Sequence, residues 1–207
     1  MSDIAEPLRP ARILLTAKKY SPLRSFSCGR KGDFSEKLVN ECVRNLYLGR
    51  ETLTQTVVVL EDANGKLMGV CSFHAHSLGR FMGDAQRIHV VGVDRRYHGK
   101  RLEDGSRPGD ALLRGALELI EMVCDDSMPY VSTLVNPENH RSRALFARHG
   151  FRELPYPGEG AIKYVRSPHR QLPALALKPT AMVRRMVQKV RNGSSADEMA
   201  DALEVLD

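Results

Sequence analysis

Apolar residues recur along this chain with two alternating periods. Ile13 to Ala17 is a short β-like run after Pro10, and Ser21 to Gly32 is rich in turn formers. Asp33, with Glu36 three residues on, forms a capping box, and Leu38, Val39, Cys42, Val43 and Leu46 follow at helical spacing. Thr56 to Leu60 is β-branched and apolar, which predicts a strand. Asp62-Ala63-Asn64-Gly65 is a turn whose Asn-Gly pair signals a hairpin, so Lys66 to Ala75 is predicted to return as the partner strand. Arg87 to Val93 predicts a further strand. Ala111 to Val123 is the clearest helix, with Leu112, Leu113, Ala116, Leu119, Ile120 and Val123 on one stripe. Tyr130 to Val135 reads as a strand broken by Asn136-Pro137. Asn139 to His149 is a second clear helix with Gly150 at its C-terminal cap position, and Ala161 to Val165 is a last strand. The order β, α, β-β-β, α, β, α, β predicts an α/β (α+β) fold, a mixed sheet with helices packed on it.

The final stretch follows a different pattern. Lys178 to Arg191 carries Lys178, Arg184, Arg185, Lys189 and Arg191 and no acid, with Met182, Val183, Met186, Val187 and Val190 interleaved at helical spacing. Asn192-Gly193-Ser194-Ser195 interrupts it, and Asp197, Glu198, Asp201, Glu204 and Asp207 follow without a base. A basic amphipathic helix and an acidic one are expected to pair with each other or with the domain, and a nucleic-acid or membrane contact is the competing reading. The expected division is a catalytic-type domain over 1–168 and a helical C-terminal extension over 169–207.

Composition narrows the class. The chain has 207 residues, 42% hydrophobic and 27% charged, with a net charge of 31 minus 25, or +6. These are average soluble values and argue against gross disorder, a fibre or a membrane-embedded chain. Met1 to Pro10 has no apolar core, and no apolar run approaches the ~20 residues a bilayer span needs. Cys28, Cys42, Cys71 and Cys124 lack the close pairing of a zinc site, so free thiols, no metal and a cytoplasmic setting are expected. The pI of about 9.3 suits an acidic partner such as a nucleotide cofactor, RNA or an anionic surface.

Candidate chemistry concentrates between Val93 and Leu113. Val93-Asp94-Arg95-Arg96-Tyr97-His98-Gly99-Lys100-Arg101-Leu102 follows a strand and leads to Gly109-Asp110-Ala111-Leu112-Leu113 at a helix start. A strand, a basic glycine-bearing turn and a helix N-terminus make a phosphate cradle: backbone N–H groups face the anion and the helix dipole favours negative charge. The spacing matches neither the Walker pattern nor the dinucleotide fingerprint. Downstream, Asn139, Phe146 and Gly150-Phe151 lie on and after the next helix.

Together these two segments resemble the GCN5-related N-acetyltransferase (GNAT) superfamily. Arg96-Tyr97-His98-Gly99-Lys100-Arg101 and Gly109-Asp110-Ala111-Leu112-Leu113 stand where that family carries its Arg/Gln-x-x-Gly-x-Gly/Ala loop and following helix start. Asn139, Phe146 and Gly150-Phe151 stand at the spacing of its later helix. The resemblance covers about residues 11 to 167 by element order. It implies a mostly antiparallel central sheet with flanking helices, and acetyl-CoA held in a wedge between the fourth and fifth strands. It further implies an oxyanion donor near Val91, backbone contacts from Val93 to the pantetheine arm, a pyrophosphate cradle of Arg96, His98, Gly99, Lys100, Arg101, Gly109 and Asp110, and Asn139 near the cofactor arm. Two departures stand out. Glu103 to Pro108 inserts into the loop, with Arg101 at a usual glycine position, and Phe146 replaces the tyrosine that often protonates the departing thiolate. Tyr130 and Tyr164 are candidate substitutes.

The resemblance implies acetyl transfer to an amine. His89 is the candidate base: His89-Val90-Val91-Gly92-Val93 reproduces the spacing of the arylalkylamine acetyltransferases, and the ordinary histidine pKa suits proton removal at neutral pH. Strand periodicity puts Arg87, His89, Val91 and Val93 on one face. A hydrogen-bonded sheet histidine is the competing reading of His89. His74 and His76 share a strand face and are expected to line the acceptor cleft. No cysteine sits on a nucleophile motif, so direct attack in a ternary complex is expected. Phe26-Ser27-Cys28-Gly29 is similar to the start of acetyltransferase toxins that modify aminoacyl-tRNA. Two alternatives therefore stand beside the N-acetyltransferase reading: a catalytically impaired acyl-CoA-binding module and such a toxin. The acceptor amine is left open between a small molecule and a protein, with nucleic acid less favoured, no membrane partner, and a homodimer open.

Overall fold

A computed structural model describes residues 11–14, 17–29, 34–50, 55–78, 84–123, 130–154 and 161–167. Asp33, the cap position of the first long helix, and the C-terminal extension 169–207 lie outside the described residues. Seven strands form one sheet: β1 (Arg12–Leu14), β2 (Thr56–Glu61), β3 (Leu67–Ser77), β4 (Asp84–Val93), β5 (Tyr130–Val135), β6 (Arg152–Leu154) and β7 (Ile162–Arg166). Their order is β1-β2-β3-β4-β5-β7-β6. Every neighbouring pair is antiparallel except β4 and β5, which run parallel. The sheet is thus mixed and mostly antiparallel, as expected.

The helices are α1 (Ser21–Arg24), α2 (Phe34–Leu48), α3 (Pro108–Val123) and α4 (His140–Arg148). Alternation along the strands separates two cores. On one face Leu14, Val57, Val59 and Val70 meet Leu23, Phe26, Val43 and Leu46 from the α1–α2 side. On the other, Val58, Leu60, Met68, Cys71, Phe73 and Ile88 meet Leu112, Leu113, Ala116, Leu117 and Ile120 of α3 and Phe146 of α4. Burial pushes the Cys71 thiol up to about 12, so it packs as an inert hydrophobe. Gly92 lets α2 close on β4: a side chain there would begin 2.5 Å from Val39 Cγ1.

Two features of the sheet position the site. The β4–β5 ladder runs from Ala85–Tyr130 to Ile88–Thr133 and stops, so the strands part beyond it. At the same level the β3–β4 register slips. Ser72 pairs with Val90 and Phe73 with Ile88, which leaves His89 as the extra residue of a β-bulge.

Several boundaries differ from the periodicity. Pro108 starts α3 three residues before Ala111, because its missing N–H and fixed φ suit the first helical position. β4 begins at Asp84 rather than Arg87, since Ala85 pairs with His76 and Gln86 with Ala75. The short α1 and β6 carry too few residues to show a period.

Candidate functional site

The loop after β4 is built around two buried pegs. Tyr97 and Leu102 are 4% and 2% exposed, so the residues between them, His98 to Arg101, are held out as a rim. Gly99 takes a left-handed φ of 77° at the rim's turn, with nothing within 4 Å of where a side chain would start. Tyr97 donates its hydroxyl to Asp62 Oδ2 at 2.9 Å, and Asp62 also accepts from the backbone of Asn64 and Lys66. The hairpin turn read from Asn64-Gly65 is thereby tied to the loop.

Asp94 organises the other side. It is 1% exposed and accepts from the backbone N–H of Ser27 and Arg96 and from the Arg96 guanidinium at 2.8 Å. Burial pushes the Asp94 carboxyl up, but the bonds from Arg96 and Ser27 outweigh it and hold the group below its ordinary value. Arg95 N–H donates to Ser27 O, and Asn40 of α2 holds both backbone groups of Cys28. The Phe26-to-Gly29 segment therefore braces the loop against α2.

The insertion closes a turn beside the rim, where Arg101 Nη1 donates to Gly105 O at 3.0 Å. Leu102 N–H donates to Ser106 O, Gly105 N–H to Leu102 O, and Asp104 pairs with Arg114 at 2.9 Å. This compact turn delivers Arg107 and Pro108 to the start of α3. Ala111 N–H already donates to Arg107 O, while Gly109 and Asp110 precede the first helical bond and present their N–H groups outward.

Between this loop, the α3 N-terminus and α4 lies a cleft of about 670 Å³. Val93, His98, Gly99, Lys100, Arg101, Gly109 and Asp110, all singled out in the sequence, line it. Sequence reasoning missed the wall from α4: His140, Arg141, Ala144, Leu145 and Arg148 also line it. The signal was the basic spacing of Arg141 and Arg148 on a helix read for Asn139 and Phe146. Arg148 pairs with Asp110 at 2.9 Å, so the carboxylate at the helix start is neutralised.

Three predicted cofactor residues do not line this cleft. Arg96 turns back onto Asp94 and braces the loop. Val91 packs against the α3 core. Asn139 caps α4, its side-chain oxygen accepting from Ser142 N–H at 3.0 Å. The Val93 carbonyl, expected to meet the pantetheine arm, is held by the His98 ring at 2.9 Å.

The expectation that His89 shares a face with Val91 and Val93 is corrected by the bulge. The extra residue reverses the alternation, so His89 is exposed on the α2 side, while Val91 and Val93 pack on the α3 side. His89 Nε2 lies 3.6 Å from Cys42 Sγ of α2, and its ring is 6.1 Å from that of His74. His74 and His76 extend along β3 on this face. Burial, and then neighbouring positive groups, push both below the ordinary histidine value. Among the described residues no group of histidine, cysteine or carboxylate side chains is arranged to hold a metal ion.

Phe146 is buried, edge-on to Phe151 at 5.0 Å and stacked with Tyr164 at 6.3 Å. The Tyr164 hydroxyl donates to Glu153 and accepts from Arg143. Tyr130 packs with Leu154 and Val165, apart from the α3–α4 core. Neither lines the cleft; among the described residues Tyr97 does, with its hydroxyl on Asp62. No helix among them is long and apolar enough to cross a membrane.

No family model and no curated protein matches the sequence. Solved structures do match. The chain is similar to a crystal structure of a bacterial toxin, with 19% identity over 79% of this chain and 99% of that one, at a TM-score of 0.58. It is similar to the KacTA–DNA complex, with 15% identity over 76% and 92% of the two chains and a TM-score of 0.56. It is also similar to a tyrosine-to-phenylalanine mutant of the AtaT toxin bound to the C-terminus of the antitoxin AtaR, with 16% identity over 77% and 94% and a TM-score of 0.53. The same mutant with acetyl-CoA also present gives 0.51. At these identities the likeness is one of fold alone.

Proposed function

We propose that the protein is an acetyl-CoA-dependent N-acetyltransferase in which the amine attacks directly. One observation carries the reading: β4 and β5 part after Ile88–Thr133, and a basic cleft capped by a helix N-terminus stands at the open end of the wedge. The cleft fits a nucleotide pyrophosphate. Gly109 and Asp110 offer N–H groups at the positive end of α3, Lys100, Arg101, Arg107, Arg141 and Arg148 surround them, and Leu145 and Val93 supply apolar walls. When bound, acetyl-CoA supplies an activated acyl thioester.

The chain's own residues then divide the work. Lys100, Arg101, Arg107 and Arg141 bind phosphate charge. Beyond Ile88, the β5-facing edge of β4 has no ladder partner and presents backbone groups to the wedge, where a carbonyl oxygen gaining charge is stabilised by an N–H. His89 is the first residue past the last β4–β5 pair, on the face away from the α3 core. In the tautomer that carries its proton on Nε2, 3.6 Å from Cys42 Sγ, His89 keeps the Nδ1 lone pair to take the amine proton. Among the described residues the cleft's one lining tyrosine, Tyr97, has its hydroxyl on Asp62, not free for a departing thiolate. A thiol of pKa near ~8.5 leaves tolerably without one.

A thermal-shift titration with acetyl-CoA, with ATP and NAD as controls, tests the cofactor. Ligand at 100 times its dissociation constant adds about 2.7 kcal/mol of stability. Thiol release across an amine panel tests the transfer. A shift common to all three nucleotides, or no thiol release with any amine, overturns the reading.

A second reading is a toxin that acetylates aminoacyl-tRNA. It is supported by the toxin structures of similar fold, by the brace from Phe26 to Gly29 and by the net charge of +6. It predicts transfer of labelled acetyl to charged tRNA and none to free amines.

A further inference from the structure

The carbonyl of Val93 stands where the basic cleft and the parted strands meet. Val93 faces Gly69 of β3, and the bond alongside that pair runs from Asp94 N–H to Met68 O at 2.8 Å. Val93 and Gly69 are therefore a non-hydrogen-bonded pair, and the N–H and C=O of Val93 both point away from β3. They point to the edge that β5 has already left, since the β4–β5 ladder ends at Ile88–Thr133. The backbone of Val91 points the same way, by the alternation of the ladder. Val93 also adjoins the start of α3: a Cβ on Gly109 would stand 3.7 Å from Val93 Cγ2.

An unpaired strand edge takes up an extended chain that carries amides. Here the edge is closed from within. His98 reaches back across the short turn Arg95–Tyr97 and sets its ring Nε2 2.9 Å from Val93 O. A carbonyl oxygen only accepts, so Nε2 carries the proton and donates. The His98 side chain is exposed, and beside it nothing lies within 4 Å of where a side chain on Gly99 would start. The ring is thus held by a hydrogen bond rather than by packing, and it has open space to swing into.

We propose that His98 is a gate between the cleft and the wedge, its ring occupying the Val93 carbonyl until an arm with an amide N–H replaces it. The inference rests on the transferase reading for the identity of that arm, the pantetheine chain of acetyl-CoA, whose secondary amides are N–H donors. A nucleotide without such an arm fills the basic cleft and leaves the ring in place. The exchange is one hydrogen bond for another. The closed ring therefore lowers the affinity for acetyl-CoA by the equilibrium factor that its own bond contributes.

The test is calorimetric titration of wild type and His98→Ala with acetyl-CoA and with adenosine 3′,5′-bisphosphate, the nucleotide half of that cofactor. The variant is expected to bind acetyl-CoA about three- to tenfold tighter, the factor that one ordinary hydrogen bond is worth. Its affinity for the bisphosphate should equal that of wild type. A residue that only shaped the loop, or that gripped phosphate, would on removal weaken both ligands. Unchanged or weaker acetyl-CoA binding by the variant, or the same change for both ligands, would overturn the gate. If acetyl-CoA binds the variant no tighter than the bisphosphate does, the arm has no seat, and the transferase reading falls with the gate. If acetyl-CoA outbinds the bisphosphate by the same factor in both proteins, the gate alone falls.

Discussion

The two faces of the wedge are made in different ways. On the α3 side, the cleft proposed for acetyl-CoA is assembled from backbone: a glycine turn, two helix N–H groups and a loop pegged by Tyr97 and Leu102. Its charges are supplementary and partly compensated, as Arg148 is by Asp110. On the α2 side, the surface is assembled from side chains on strands, with His74, His76, Arg87, His89 and Lys163 brought together by register and a bulge. A ligand common to many relatives of one fold is gripped by groups every sequence has. A ligand particular to one protein is gripped by groups that substitution can change.

Single substitutions separate the faces. The largest effect is expected from His89→Ala, which should lower kcat by about 10²–10⁴ and leave the acetyl-CoA dissociation constant unchanged. A parallel loss of cofactor affinity would merge the two faces into one site. Next, Gly109→Glu places a carboxylate in the cleft, where its Cβ would stand 3.7 Å from Val93 Cγ2 without a clash. Acetyl-CoA affinity should fall about 100-fold through like-charge repulsion, with the melting temperature unchanged.

Asp94→Asn removes the charge that organises the loop and should cost about 2–3 kcal/mol in denaturant unfolding. The sign of its pH dependence follows from the depressed carboxyl: the stabilisation is complete above the ordinary aspartate value of 3.8 and is lost as pH falls through the lower folded value. The Asn variant should lack that acid limb. Phe146→Tyr buries a hydroxyl between Phe151 and Tyr164 and should destabilise by about 1–2 kcal/mol. A rise in turnover instead would show that the missing tyrosine is what limits the enzyme.

The smallest effect belongs to the histidines of the acceptor face. His74 is held below the ordinary histidine value of 6.5, so the folded state binds fewer protons than the unfolded one just below that pH. Its stabilisation is present above about pH 6.5 and is lost as pH falls toward the folded value. His74→Gln should flatten unfolding free energy against pH in that window and leave the acid limb near Asp94 in place.

Much of this was legible in the chain. The helical stripe of Leu112, Leu113, Ala116 and Ile120 and the β-branched run from Thr56 are one-dimensional signals, because each element buries one face and the spacing records it. Asn64-Gly65 marked its hairpin for the same reason: the turn needs a residue that takes a positive φ. Gly99, Lys100, Gly109 and Asp110 could be grouped from sequence because a loop and the helix start that follows it are continuous in the chain, and they line one cleft. Arg96 turns inward onto the buried Asp94, and no period encodes that choice. Arg141 and Arg148 were passed over because they reach the cleft from a different element.

The sequence by itself determined most of the elements and their arrangement as helices on a mixed sheet, since local propensity and short-range spacing suffice for those. Only the tertiary structure decided on which face His89 stands, where β4 leaves β5, and that Arg87, Ser132 and Lys163 share one recess. Those depend on register between strands distant in the chain. A one-residue slip between Ser72 and Phe73 is enough to turn every later side chain to the other face of the sheet.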